Sequence, residues 1–200
     1  MAEPKVGGLV LAGGRSSRFG AEKAVQVIGG VALLERSLAA LSGVAQVVAV
    51  SARPGSGAAD LARSLGLPQV TDDPDHPSGP LAGIAAGLAW ARAGGVDLLA
   101  ALACDVPGVD TSILRRLVLP GGGYAVAGGR IQSLCAVWPV TVLGALTEAL
   151  NGGDHPAVHE MLRRSGATAV AFEDPAPFAN INSREDLAAF QRRLEDRPPA

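Results

Sequence analysis

Aromatic residues are scarce in this chain: among its 200 residues there are four Phe, two Trp and one Tyr. Small side chains must therefore fill its interior, and 26 glycines fit that demand. Cysteine is rarer still. Cys104 and Cys135 are too few for a disulfide scaffold and lack the C-x-x-C spacing of a zinc site. Their apolar flanks predict buried thiols in a reducing cytoplasm, although a single bridge between them stays open at this level. No apolar run approaches the roughly 18 residues of a membrane span. Val6–Ala12 is too short and too interrupted by glycine for a secretory signal core. A dominant charge is also missing: 17 basic against 19 acidic residues leave a net charge of -2, which provides no broad positive field for a nucleic-acid backbone. Neither nucleic acid nor membrane is expected as a partner.

What is present is globular in composition, with 48% hydrophobic and 18% charged residues. The length suits one domain, set here at residues 1–195, followed by a frayed tail at 196–200. Of the 17 basic residues only Lys5 and Lys23 are lysines. A lysine kept inside a suggestive motif of an Arg-favouring chain therefore stands out.

The apolar runs alternate in type. Val6–Leu11, Val47–Val50, Gln69–Thr71 and Asp97–Cys104 read as strands, the last apolar on both faces as covered parallel strands are. Val31–Leu41, Ala58–Leu65, Pro80–Ala93 and Thr111–Val118 read as helices. Tyr124–Trp138 holds two strand-like runs joined by Gly128-Gly129, a tight hairpin signal. Helices at Val142–Leu150 and Val158–Arg164 and a strand at Thr168–Phe172 follow. Ser183 with Asp186 three residues later has capping-box spacing, so the last helix begins there. Repeated strand–helix–strand units predict an α/β fold: a Rossmann-like, three-layer α/β/α arrangement around a mostly parallel sheet.

In such sheets ligands bind beyond the carboxyl ends of the strands. The first strand runs into Leu11, Ala12, Gly13, Gly14 and Arg15, with Arg18 and Lys23 further on. Adjacent glycines let backbone amides approach an anion, and the three cations suit a triphosphate. The stretch is neither a P-loop nor the G-x-G-x-x-G dinucleotide fingerprint. Asp72 and Asp73 follow the third of these strands and Asp105 the fourth. A carboxylate opposite a cationic phosphate loop suits Mg²⁺, which takes one or two carboxylates plus phosphate oxygens and waters. His155 and His159 are four apart, but Pro156 and the lack of H-E-x-x-H order point to a helix start instead of zinc. His76 reads as a solvated loop residue. No G-x-S-x-G elbow is present, which removes a serine hydrolase.

Taken together, these residues resemble the molybdenum cofactor guanylyltransferase family of nucleotidyltransferases. Leu11-Ala12-Gly13-Gly14-Arg15-Ser16-Ser17-Arg18-Phe19-Gly20-Ala21-Glu22-Lys23 is similar to the family's L-A-G-G-x-S-x-R-M-G-x-D-K, with Phe19 for Met and Glu22 for Asp. Gly79-Pro80-Leu81-Ala82-Gly83, Cys104-Asp105-Val106-Pro107, Gln132–Val137 and Asn180-Ile181-Asn182-Ser183 continue the likeness in the family's order.

The resemblance implies a nucleotidyltransferase with GTP and molybdenum cofactor as substrates and Mg²⁺ as cofactor. Leu11, Ala12, Gly13, Gly14, Arg15 and Lys23 would hold the phosphates, and Arg15, Lys23 and Asp105 would be catalytic. Asp72 or Asp73 would lie near the guanine or ribose, with Ser51 and Gly79 also at the nucleotide. Asp105 would bind the metal, and Asn180 and Asn182 the pterin phosphate. Where some relatives carry an Asn to read guanine, this chain has Val50-Ser51-Ala52, which leaves CTP as the alternative nucleotide. A non-catalytic nucleotide or cofactor carrier is the alternative from another class. Proteins that deliver the cofactor and molybdoenzymes that receive it are the expected protein partners.

Overall fold

A computed structural model describes residues 3–13, 22–152 and 156–196. The chain enters through β1 (Val6–Leu11), which is buried except for the partly open Leu11. A single 3₁₀ turn at Lys23–Val25 leads to a feature the sequence reading misses. β2 (Val27–Ile28) and β3 (Val31–Ala32) form a miniature antiparallel hairpin across Gly29-Gly30. The helix expected from Val31 therefore starts two residues later, as α1 (Leu33–Ser42). β-Branched Val27, Ile28 and Val31 around two glycines favour the turn over a helical start.

β4 (Val47–Ser51), α2 (Gly57–Ser64), β5 (Gln69–Val70) and α3 (Pro80–Ala93) follow, each within two residues of its expected bounds. β6 (Leu98–Ala103) is buried throughout. After α4 (Thr111–Val118), β7 (Gly123–Ala127) and β8 (Arg130–Pro139) make the expected hairpin, with Gly128 and Gly129 both at positive φ. α5 (Leu143–Asn151), α6 (Val158–Arg164), β9 (Thr168–Phe172) and α7 (Arg184–Glu195) complete the described chain.

Seven strands form one sheet in the order β5-β4-β1-β6-β8-β7-β9. β8 runs antiparallel to both neighbours because the hairpin returns it between β6 and β7, and the other pairings are parallel. Side chains alternate across the sheet as the two-residue strand period requires. Val6, Val10, Leu98, Ala100 and Leu102 face a layer built from α1, α2 and α4. Leu9, Leu99 and Ala101 face α3, α5 and α6. Buried alanines at 100, 101 and 103 and the fully buried ring of Trp138 show how a chain poor in aromatics fills this space. A third, small cluster joins Ile28 and Leu33 to Ile181, with Leu187, Phe190 and Leu194 of α7 packed on it. The C-terminal helix is thereby tied to the segment that follows Lys23. Cys104 and Cys135 are buried and unbridged. Among the described residues no helix is long and apolar enough to cross a membrane.

Candidate active site

The carboxyl ends of three parallel strands stand side by side, with Leu11 in register with Ser51 on one flank and Ala103 on the other. The ladder runs one step further: Ala12 N–H donates to the Ser51 carbonyl at 2.8 Å and Cys104 N–H to the Leu11 carbonyl at 3.2 Å. Beyond this edge lies a cleft of about 490 Å³. Leu11, Ala12, Gly13, Lys23, Ser51, Asp72, Gly79 and Asp105, all singled out from sequence, line it. Gly14 and Arg15 lie outside the described residues.

The charged centre of the cleft is assembled from distant segments. Lys23 Nζ stands 3.3 Å from Asp105 Oδ2 and donates to Asn182 Oδ1 at 2.8 Å. The two charged side chains are 17% and 21% exposed, sheltered enough to be ordered and open enough to meet a ligand. Asp105 Oδ1 is buried and accepts no hydrogen bond among the described residues. An anionic oxygen in that position suits a hard cation. Among the described residues no group of three or more His, Cys, Asp or Glu gathers into a metal cage.

The C-terminal segment is stitched to this centre from both sides. Ile181 N–H donates to the Asp105 carbonyl at 2.8 Å. Asp186 Oδ2 accepts the Asn182 and Ser183 N–H groups, each at 2.9 Å, while Asp186 N–H donates to Ser183 Oγ at 3.1 Å. The bond from Asn182 N–H, then the Ser183 hydroxyl, hold the Asp186 carboxyl below its ordinary range, and the Lys23 charge adds a smaller pull. Asn180 is exposed and its side chain makes no hydrogen bond among the described residues. It neither lines the cleft nor joins the Lys23 cluster.

The two candidate acids after β5 separate. Asp72 lines the cleft, whereas Asp73 does not, and its Oδ1 accepts the Asp75 N–H at 3.0 Å. Asp72 is exposed as a residue, yet its carboxyl faces the cleft and partial desolvation raises its pKa. His76 bonds Asn151 at 2.9 Å and takes no part in the cleft. His155 lies outside the described residues, and α6 begins just after Ala157, whose N–H donates to Glu160 at 3.0 Å.

Several cleft residues were given no site role by the sequence reading, Arg53, Ser78 and Leu134 among them. Arg53 and Ser78 line the wall, and Leu134 reaches in from β8. Arg53 stands two residues past the end of β4, so the strand-end rule could have found it. A wider groove of about 1190 Å³ lies between the loop after β5, α3 and α5. It shares only Asp72 with the smaller cleft and holds neither Lys23 nor Asp105.

A mostly parallel α/β/α sheet carries this cleft at its carboxyl edge, where such folds bind their ligands. The sequence profile of the MobA-like NTP transferase domain matches residues 8–175, and the chain belongs to that family. It is 36% identical over 197 residues to the molybdenum cofactor guanylyltransferase of Rhodobacter capsulatus, covering 98% of this chain and 100% of that one. It is 40% identical over 193 residues to the protein of the same name from Cereibacter sphaeroides, covering 94% and 96%. Among solved structures, molybdopterin-guanine dinucleotide biosynthesis protein A from Archaeoglobus fulgidus superposes with a TM-score of 0.74 over 96% of this chain and 100% of that chain. At 21% identity that is a likeness of fold.

Proposed function

We propose that this chain transfers GMP from GTP to the terminal phosphate of molybdenum cofactor, forming its guanine dinucleotide form and pyrophosphate. The observation that carries the proposal is the Lys23–Asp105–Asn182 cluster at the carboxyl edge of the sheet, in a chain whose full-length relatives are named for this activity. An oxygen of the cofactor's phosphate attacks the α-phosphorus of GTP. The new P–O bond forms as the α–β anhydride bond breaks, and its electron pair leaves with pyrophosphate.

No covalent protein nucleophile is required, so the protein works by positioning and by neutralising charge. Lys23 supplies a compact ammonium at the phosphates, fixed in direction by Asp105 and Asn182. Gly13 lines the same cleft, and the sequence motif assigns phosphate binding to Gly14 and Arg15 as well. Mg²⁺ supplies Lewis-acid stabilisation of charge on the phosphoryl oxygens when bound. Asp105 would hold it through Oδ1, the oxygen that has no hydrogen-bond partner among the described residues. Ser51, Asp72 and Gly79 sit along the nucleotide side of the cleft, and Asp72, not Asp73, faces the base or ribose. Asn182 and Asn180 serve the pterin-phosphate side.

We treat residues 1–195 as one nucleotidyltransferase domain, since a single sheet runs from β1 to β9 and α7 packs back beside α1. Buried free thiols at Cys104 and Cys135 support a cytoplasmic enzyme. Cofactor-delivering proteins and recipient molybdoenzymes are its expected partners. The test is a nucleotide panel with reduced cofactor and Mg²⁺. GTP should release pyrophosphate and yield the dinucleotide; release with CTP but not GTP would overturn the choice of base, and release with neither would favour a carrier.

A further inference from the structure

Glu22 immediately precedes Lys23, yet its carboxylate turns to α2, 35 residues along the chain. Oε2 accepts the Gly57 N–H at 2.7 Å and Oε1 the Ala58 N–H at 2.9 Å. The next amide, that of Ala59, donates to Ser56 Oγ at 3.2 Å, so the first turn of α2 is fully occupied. Amides at a helix start lack partners within the helix and carry the positive end of its dipole. A carboxylate bridging two of them is a charge-assisted, directional tether.

The surroundings are built for that tether. The Glu22 carbonyl accepts Gln26 Nε2 at 3.1 Å, which closes the turn that carries Lys23. A Cβ on Gly57 would stand 3.1 Å from Glu22 Oε2 and 3.2 Å from a Val25 methyl, so the absent side chain leaves the space into which carboxylate and turn dock. Glu22 also lines the nucleotide cleft. A loose carboxylate there would repel a triphosphate; with both oxygens committed to helix amides, its charge is turned away.

We propose that Glu22 is a positioning residue for Lys23, fixing through α2 the backbone from which the ammonium reaches its phosphate site. This rests on the reading of Lys23 as a triphosphate ligand. GTP and inorganic tripolyphosphate, each with Mg²⁺, are titrated calorimetrically into wild type, E22A, E22Q, G57V, S56A, K23A and the E22A/K23A double variant, with thermal unfolding of each.

E22A should weaken both ligands about tenfold, on the scale of one charge-assisted contact. E22Q, which keeps the length but turns an NH₂ toward a helix amide, and G57V, which fills the docking space, should move the same way if E22A itself folds poorly. S56A removes a cap from the same helix and should lower Tm while binding stays within about twofold. In the K23A background, E22A should cost less than about twofold, since residues acting through one another are not additive. Wild-type binding with unchanged affinity in E22A and G57V, an additive loss in the double variant, or an equal loss in S56A would each overturn the inference alone. A wild type that binds neither ligand would remove the Lys23 assignment and the inference with it.

Discussion

Lys23 Nζ donates to Asn182 Oδ1 at 2.8 Å, although the two residues are 159 positions apart. The start of α7 thereby completes a site whose other parts lie at the ends of β1 and β6. Asn182 is held by its own backbone bond to Asp186, and its neighbour Ile181 by a bond to the Asp105 carbonyl. Asn182→Ala removes the neutral acceptor of an ammonium, an interaction worth about 1.5–3 kcal/mol. We expect kcat to fall about ten- to a hundredfold with a smaller change in GTP affinity, read from steady-state pyrophosphate release beside GTP titration. Unimpaired turnover would confine Asn182 to a structural role.

Asp105→Ala separates the metal role proposed for this carboxylate from its part in the fold. The backbone carbonyl of residue 105, which accepts the Ile181 N–H, survives the substitution, so the C-terminal segment keeps its attachment. The carboxylate, whose Oδ1 has no hydrogen-bond partner among the described residues, does not. Mg²⁺-dependent turnover should be abolished while the circular dichroism of the folded protein is retained. Turnover at the wild-type level with the same Mg²⁺ dependence would take Asp105 out of the metal role.

The parts of this molecule legible in its sequence are those that short-range physics decides. β6 is apolar on both faces and reads as a covered parallel strand, Gly128-Gly129 reads as a turn, and Ser183 with Asp186 reads as a helix cap. Strand-end geometry then picks out Lys23, Asp72 and Asp105 as neighbours of one cleft. What local pattern could not reveal is long-range pairing. The Glu22 tether to α2 and the Lys23 bond to Asn182 join segments whose separation carries no sequence period. The choice between Asp72 and Asp73 turned on the direction of the chain beyond a two-residue strand, too short to set an alternation. The β2–β3 hairpin was hidden because Val31 also fits the helical spacing that follows it.

Cys135 sits in β8 opposite Leu102 of β6, and burial pushes its thiol pKa up from 9.0 to about 12. The thiolate is the reactive form, so at neutral pH its fraction lies far below that of an ordinary thiol. Iodoacetamide should leave Cys135 unmodified in the folded protein and label it promptly once guanidinium unfolds the chain. Rapid labelling of Cys135 in native conditions, located by peptide mass, would contradict its burial.

Asp186 gives the pH dependence of the α7 attachment a definite sign. Its folded pKa lies below the ordinary aspartate value of 3.8, chiefly because the Asn182 N–H bonds its carboxylate. The unfolded chain therefore takes up this proton first as the pH falls. The contribution of Asp186 to stability is present in full above the ordinary value and is lost as the pH falls through the lower folded one. Asp186→Asn removes the charge while keeping an acceptor, so the difference in urea midpoint between wild type and variant isolates this group. That difference should stay constant from about pH 8 to about pH 5 and shrink toward zero below about pH 4. A difference that persists unchanged into acid would mean that the carboxylate charge adds nothing to the cap, and that its hold on Asn182 is geometric alone.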